Sequence, residues 1–122
     1  MKEKQTFSLR ARGRSLLFAK EGLIKFFSSE HNAKIHLLAT IVVIFFSLLL
    51  KVSSVEAIML VFCIGSVWVA EIFNTAIEKA LDFISSEKHP QIKFIKDLSA
   101  AAVLVSAIVA FIIGCIIFIP KL

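Results

Sequence analysis

Three uncharged apolar runs divide the chain, at residues 35–50, 57–70 and 98–120. A helix needs ~20 predominantly apolar residues to cross the hydrocarbon of a bilayer, with ~17 as the practical minimum. The third run meets that length outright. The first meets it when His36 and the flanking Lys34 and Lys51 reach back to the interface. The second is too short unless it continues past Glu71 through Ile72, Phe73, Ala76, Ile77 and Ala80. The pattern therefore predicts membrane spans at 33–51, 57–80 and 98–119, and it puts Glu71, Asn74 and Glu78 on a membrane helix. Upstream, Leu16, Ala19, Leu23, Phe26 and Phe27 recur at roughly helical spacing, with Arg14, Lys20, Glu21 and Lys25 on other faces. That predicts an amphipathic helix within 1–32, lying in the headgroup plane and entered through Arg10, Arg12 and Arg14. Between the second and third spans, 81–97 reads as a polar loop, with Pro90 as the break where the chain turns back.

Composition narrows the class. The chain has 122 residues, of which 58% are hydrophobic and 19% charged, with twelve Phe and no Tyr. One domain is the ceiling at this length, and a soluble globule this small cannot bury so much apolar surface. A soluble nucleotide-binding enzyme and a disulfide-stapled secreted module are both excluded. The expectation is an all-α integral membrane protein. Cys63 and Cys115 lie inside apolar runs with no second ligand at metal spacing.

The net charge of +5 is unevenly placed. Eight of the fourteen cations precede the first span and four lie between Lys79 and Lys96, leaving Lys51 and Lys121 for the other side. A one-sided basic segment suits anionic headgroups, not nucleic acid. By the positive-inside rule, the N-terminus and the 81–97 loop are cytoplasmic. Charges recurring at Glu21, Lys25, Glu30 and Lys34 do not form a cleavable signal, so the N-terminal segment is expected to stay on the mature protein.

Glu71 and Glu78 are seven residues apart and Asn74 falls between them, so the three share one helix face, the acids ~10 Å apart along the axis. A carboxylate at membrane depth is costly and points to function with a partner to be named. The plain alternative pairs these acids with Lys79 or Lys96 at a helix end. Asp97 alone reads as a cap of the third span, since acids favour helix N-termini, and Glu30 reads as a solvated acid at headgroup level. Yet Glu30, Glu71, Asn74, Glu78, Lys96 and Asp97 all belong to one membrane face. Carboxylates suit Mg²⁺, and a lysine suits phosphate. Gly13, Gly22, Gly65 and Gly114 form no phosphate-cradling loop.

The block Glu71-Ile72-Phe73-Asn74-Thr75-Ala76-Ile77-Glu78, followed by Asp82 and by Lys96-Asp97 with Ala100-Ala101-Ala102-Val103-Leu104, resembles the signature of the small prokaryotic diacylglycerol kinases. That family includes the undecaprenol kinases of Gram-positive bacteria. The resemblance runs from about Arg14 to the end of the third span. It implies three transmembrane helices and an N-terminal surface helix per subunit, in a multi-pass protein of the bacterial cytoplasmic membrane. It also implies a homotrimer with active sites shared between neighbours, and transfer of the ATP γ-phosphate to a lipid hydroxyl with Mg²⁺. Position by position, Glu71 resembles the family's catalytic base, Glu30 and Glu78 its metal-holding pair, and Asn74 the polar residue beside the base. Lys96 resembles the residue that meets the ATP phosphates, and Glu78, Asp97, Glu87 and Arg14 look like further nucleotide-site positions. Phe18 and Lys88 depart from the pattern where some members carry Tyr. The stretch from Glu30 to His36 resembles the E-x-N-x-x-x-H of the undecaprenol-kinase branch, which tilts the acceptor towards a polyprenol over diacylglycerol. Asn32 and His36, one helical turn apart, are then expected to line the slot for the alcohol head.

Two other classes stay open from the residues alone. A non-enzymatic membrane subunit accounts for the spans and the charge bias but not for Glu71 and Asn74 on one face. A transporter accounts for an intramembrane acid, yet the third span is uncharged.

Overall fold

The structure, a computed structural model, describes residues 6–122, and all of its regular elements are helical. Helix α1 is Leu9–Ser29, α2 is His31–Leu49, α3 is Ser54–Ile84 and α4 is Pro90–Phe118, which ends in a 3₁₀ turn at Ile119–Lys121. Lys2 and Lys4, counted above among the N-terminal cations, lie outside the described residues. The chain divides into two compact units, Met1–Lys34 and Ile35–Leu122.

In the first unit, Ser8 caps α1 by accepting the Ala11 N–H on its hydroxyl at 3.3 Å, so the helix takes in the arginines that the sequence placed at its entry. Leu16, Leu17, Phe18 and Ile24 are exposed, while Phe26 is buried edge-on to Phe27. An apolar face that the chain leaves bare is what an interfacial helix presents to lipid. Glu30 ends α1 in extended backbone, its N–H donating to Phe26 O at 3.1 Å, and α2 starts at the next residue.

In the second unit, α2 closes on Lys51, whose φ of 52° lies in the left-handed region. The Val52 N–H reaches back to Ser47 O at 3.2 Å across that turn, the long bond of a Schellman closure in which glycine is the usual residue. A capping box then starts α3: the Ser53 hydroxyl accepts from the Glu56 N–H at 3.2 Å, and the Glu56 carboxylate accepts from the Ser53 N–H at 2.9 Å.

The 81–97 segment differs from its reading as a loop. Helix α3 runs on to Ile84, and only 85–89 is non-helical. Pro90 is the first residue of α4, and His89 is the cap, its Nδ1 accepting the Gln91 N–H at 3.1 Å. The reason is local. Proline lacks an N–H, and the first turn of a helix has no intrahelical use for one, so Pro90 starts a helix as readily as it breaks one. Asp97 therefore sits inside α4 and is not its cap.

Helices α3 and α4 form an antiparallel pair whose backbones run close together, and α2 comes less close to either. Three contacts fix the register of the pair: Glu56 to Lys121 at one end, Asp82 to Lys96 at the other, and Asn74 to Ser99 between them. Buried side chains are few, and α2, α3 and α4 turn long rows of Ile, Leu, Val and Phe outwards. Three helices are long and apolar enough to cross a membrane: His31–Leu49, Ser54–Ile84 and Pro90–Lys121. This is an all-helical membrane protein. At 1.5 Å per residue α3 is ~46 Å long against ~30 Å of hydrocarbon, so about a third of it stands outside. The charged end with Glu78, Lys79 and Asp82 is the part suited to water, and Glu71 lies ~25 Å along the helix from Ser54.

Candidate active site

One face of α3 carries the polar groups in order of depth. Glu71 is 2% exposed, and Asn74 and Thr75 beside it are also buried. Glu78, two turns on, is half-buried, and Asp82 is exposed at the rim. The shared face expected from the spacing is thus present, graded from the slab to water.

Glu71 and Asn74 each have a partner on a neighbouring helix. The Glu71 Oε2 lies 3.4 Å from His36 Nε2 on α2. On the other side the Ser99 hydroxyl of α4 donates to Asn74 Oδ1 at 2.7 Å. One turn deeper, the Trp68 indole N–H donates to Thr40 Oγ1 at 3.0 Å, and the Thr40 hydroxyl donates to the His36 carbonyl at 2.8 Å. The Trp68 and His36 rings meet edge-on, with centroids 6.2 Å apart. Among the described residues no buried side-chain oxygen or nitrogen is left without a hydrogen-bond partner, as the low dielectric of such a site demands.

At the rim the lysines are engaged. Lys96 Nζ lies 2.6 Å from Asp82 Oδ1, and Lys93 Nζ lies 2.6 Å from Asp97 Oδ2. The alternative that paired Glu71 or Glu78 with Lys96 is therefore not what forms. Glu78 makes no hydrogen bond or ion pair among the described residues of the chain. These rim residues and the 85–89 link, with Glu87, surround an open cleft of about 590 Å³. Its walls carry both signs of charge, with Lys93 and Lys96 beside Asp82, Glu87 and Asp97.

The remaining expected residues belong to the first unit: Arg14 is exposed on α1, Glu30 is half-buried at the joint, and Asn32 is exposed on the first turn of α2. All four glycines lie within helices, so no glycine loop is available for phosphate. Among the described residues no three of His, Cys, Asp and Glu gather as a ready metal cage. Thr40, Trp68 and Ser99 were not singled out from the sequence. Their signal was present in part: Trp68 lies three residues before Glu71 and Ser99 three after Lys96, positions that share a helix face.

With this geometry in place, the comparisons with known proteins fall on one family. The model of the prokaryotic diacylglycerol kinases matches residues 17–118, nearly the whole chain. The chain belongs to that family, a family of lipid phosphotransferases. Among its relatives, the undecaprenol kinase of Bacillus subtilis (strain 168) is 36% identical over 109 residues, covering 89% of each chain. The diacylglycerol kinase of Synechocystis is 31% identical over 109 residues, 88% of this chain and 62% of the relative. The diacylglycerol kinase of Escherichia coli (strain K12) is 40% identical over 68 residues, 56% of each.

Proposed function

We propose that this chain is an ATP- and Mg²⁺-dependent kinase of the bacterial cytoplasmic membrane that phosphorylates a lipid alcohol, undecaprenol in preference to diacylglycerol. The observation that carries this reading is Glu71: a carboxylate buried at slab depth, at the inner end of a polar line that leads out to the Lys96 cleft. A lipid hydroxyl arrives from the bilayer and a nucleotide from the cytosol, and this line is where the two meet.

In the reaction the lipid O–H gives its proton to Glu71 as its oxygen attacks the γ-phosphorus. The bond from that phosphorus to the bridging oxygen breaks, and ADP leaves with the electron pair. Such transfers need mainly in-line positioning and neutralised charge. Lys96 supplies charge to the phosphates once it leaves Asp82, and that exchange is easy because an exposed ion pair is worth only ~0–1 kcal/mol. Asn74, fixed by Ser99, sits one turn from Glu71 on the side of the cleft, and the resemblance assigns Arg14, Glu87 and Asp97 to the nucleotide. Glu30 and Glu78 are hard oxygen donors that suit Mg²⁺, which takes one or two carboxylates and fills its other positions with water and phosphate oxygens. The ion when bound neutralises phosphate charge. Asn32 and His36 are assigned to the acceptor's head, and the E-x-N-x-x-x-H stretch supports the polyprenol. So does the likeness to an undecaprenol kinase, which runs along 89% of both chains.

The resemblance supports a homotrimer with shared sites, in which neighbouring subunits would cover part of the apolar helix surface that a lone subunit leaves bare. Mixing inactive Glu71→Gln subunits with inactive Glu30→Ala subunits then restores some activity. Mixed oligomers that stay dead argue for self-contained subunits.

The test of function is an acceptor panel: purified protein in mixed micelles with labelled ATP and either undecaprenol or diacylglycerol. Transfer to both, modestly better to undecaprenol, is expected. Ready transfer to diacylglycerol with none to undecaprenol reverses the preference and leaves the lipid kinase standing. Transfer to neither refutes the kinase.

A further inference from the structure

We infer that His36 acts through Glu71, as a positioning residue for the carboxylate, and that Trp68, itself tied to Thr40, holds its imidazole in place. The inference rests on the kinase reading above and concerns how its base is kept ready.

An ionised carboxylate in a membrane interior costs several kcal/mol without a partner. Glu71 is 2% exposed, and among the described residues His36 is the only side chain placed to donate to it. The 3.4 Å separation is longer than the ~2.7–3.2 Å of a settled N–H···O bond. Catalytic hydrogen bonds are often long before substrate arrives and tighten with it. With the hydrogen on Nε2, His36 engages Oε2 and leaves Oε1 to take the alcohol's proton.

The imidazole meets the Trp68 ring edge-on, and the Trp68 indole N–H is tied to Thr40, whose own hydroxyl bonds the backbone carbonyl of His36. His36 and Thr40 are one turn apart on α2, and Trp68 and Glu71 one turn apart on α3, so the two pairs form antiparallel rungs. The upper rung carries the chemistry, and the lower one sets the ring orientation of the upper.

This separates two roles for His36 by kinetics. A residue that only lines the alcohol's slot changes KM for the lipid. A residue that orients the base changes kcat. The experiment measures kcat, KM for undecaprenol and MgATP affinity in His36→Ala, His36→Gln and Trp68→Phe, with assembly checked by size-exclusion chromatography in detergent. Expected are a kcat loss on the order of tenfold or more in His36→Ala with MgATP affinity unchanged, and partial recovery in His36→Gln, which keeps an N–H donor. Trp68→Phe keeps the ring and loses the tie to Thr40, and a smaller kcat loss is expected. Should His36→Ala not assemble, His36→Gln and Trp68→Phe carry the comparison. A raised lipid KM at unchanged kcat, or a His36→Gln variant no better than His36→Ala, overturns the positioning role. Wild-type protein that transfers phosphate to neither lipid in the panel overturns the kinase reading first, and this inference with it.

Discussion

Helix α3 has two seams, and they are built differently. Against α4 its backbone runs close, with a buried Ser99–Asn74 hydrogen bond at its middle and ion pairs at both ends. Against α2 the backbones stand further apart, and long side chains span the gap: His36 to Glu71, Trp68 to Thr40. In lipid no hydrophobic force drives helices together, so close packing relies on small residues and interhelical hydrogen bonds. Helix α4 supplies the half-buried Ala101, Ala107 and Ala110. Its Gly114, and Gly65 of α3, do not make the close approach, since a Cβ on either would meet no other atom within 4 Å. The bridged seam leaves a small cavity of about 180 Å³ lined by His36, Thr40 and Trp68 among apolar residues. The tight seam is the scaffold, and the bridged one leaves room for chemistry.

Substitutions can break that contrast. The largest effect is expected at the rim where the tight seam opens: Lys96→Ala removes the cation offered to the phosphates and should lower kcat about 100-fold, the scale seen when one transition-state donor is deleted. Steady-state assays with undecaprenol check it, and a loss below about threefold would dissociate Lys96 from the phosphates. Next, Ser99→Ala leaves the buried Asn74 oxygen without its donor and should destabilise the protein by ~1–3 kcal/mol, read as thermal unfolding in detergent. Asn74→Ala should match that destabilisation and lose turnover as well, because Asn74 also belongs to the site. The smallest effect belongs to the far end: Lys121→Met breaks the ion pair with Glu56 and should change neither melting temperature nor turnover measurably. A large effect there would mean that the α3–α4 register depends on its ends more than on its buried middle.

What the sequence made legible follows the same division. Long apolar runs have to become helices in lipid, so the three long helices were readable from hydropathy, and the N-terminal helix from the spacing of its apolar positions. The graded face of Glu71, Asn74 and Glu78 followed from spacing on one helix. Helix ends were harder to read. Glu30 has no breaker character, yet it forms the joint between α1 and α2, and Pro90 opens a helix where a break was expected. Cross-helix partners were harder still. Spacing fixes which residues share a face of their own helix, but not how that face is turned towards the next one. Thus His36 read as part of a slot for the alcohol, and its approach to Glu71 appears only once α2 and α3 are placed. Ser99 looked like one small polar residue in an uncharged span until Asn74 was found against it.

The central claim is that Glu71 takes the proton of a lipid alcohol at the bridged seam. Glu71→Gln keeps size and polarity and removes only the proton acceptor. The direct measurement follows MgATP binding and phosphoryl transfer to undecaprenol on the same preparation of that variant. The account predicts wild-type nucleotide affinity with turnover lost. Near-normal turnover in Glu71→Gln would contradict it.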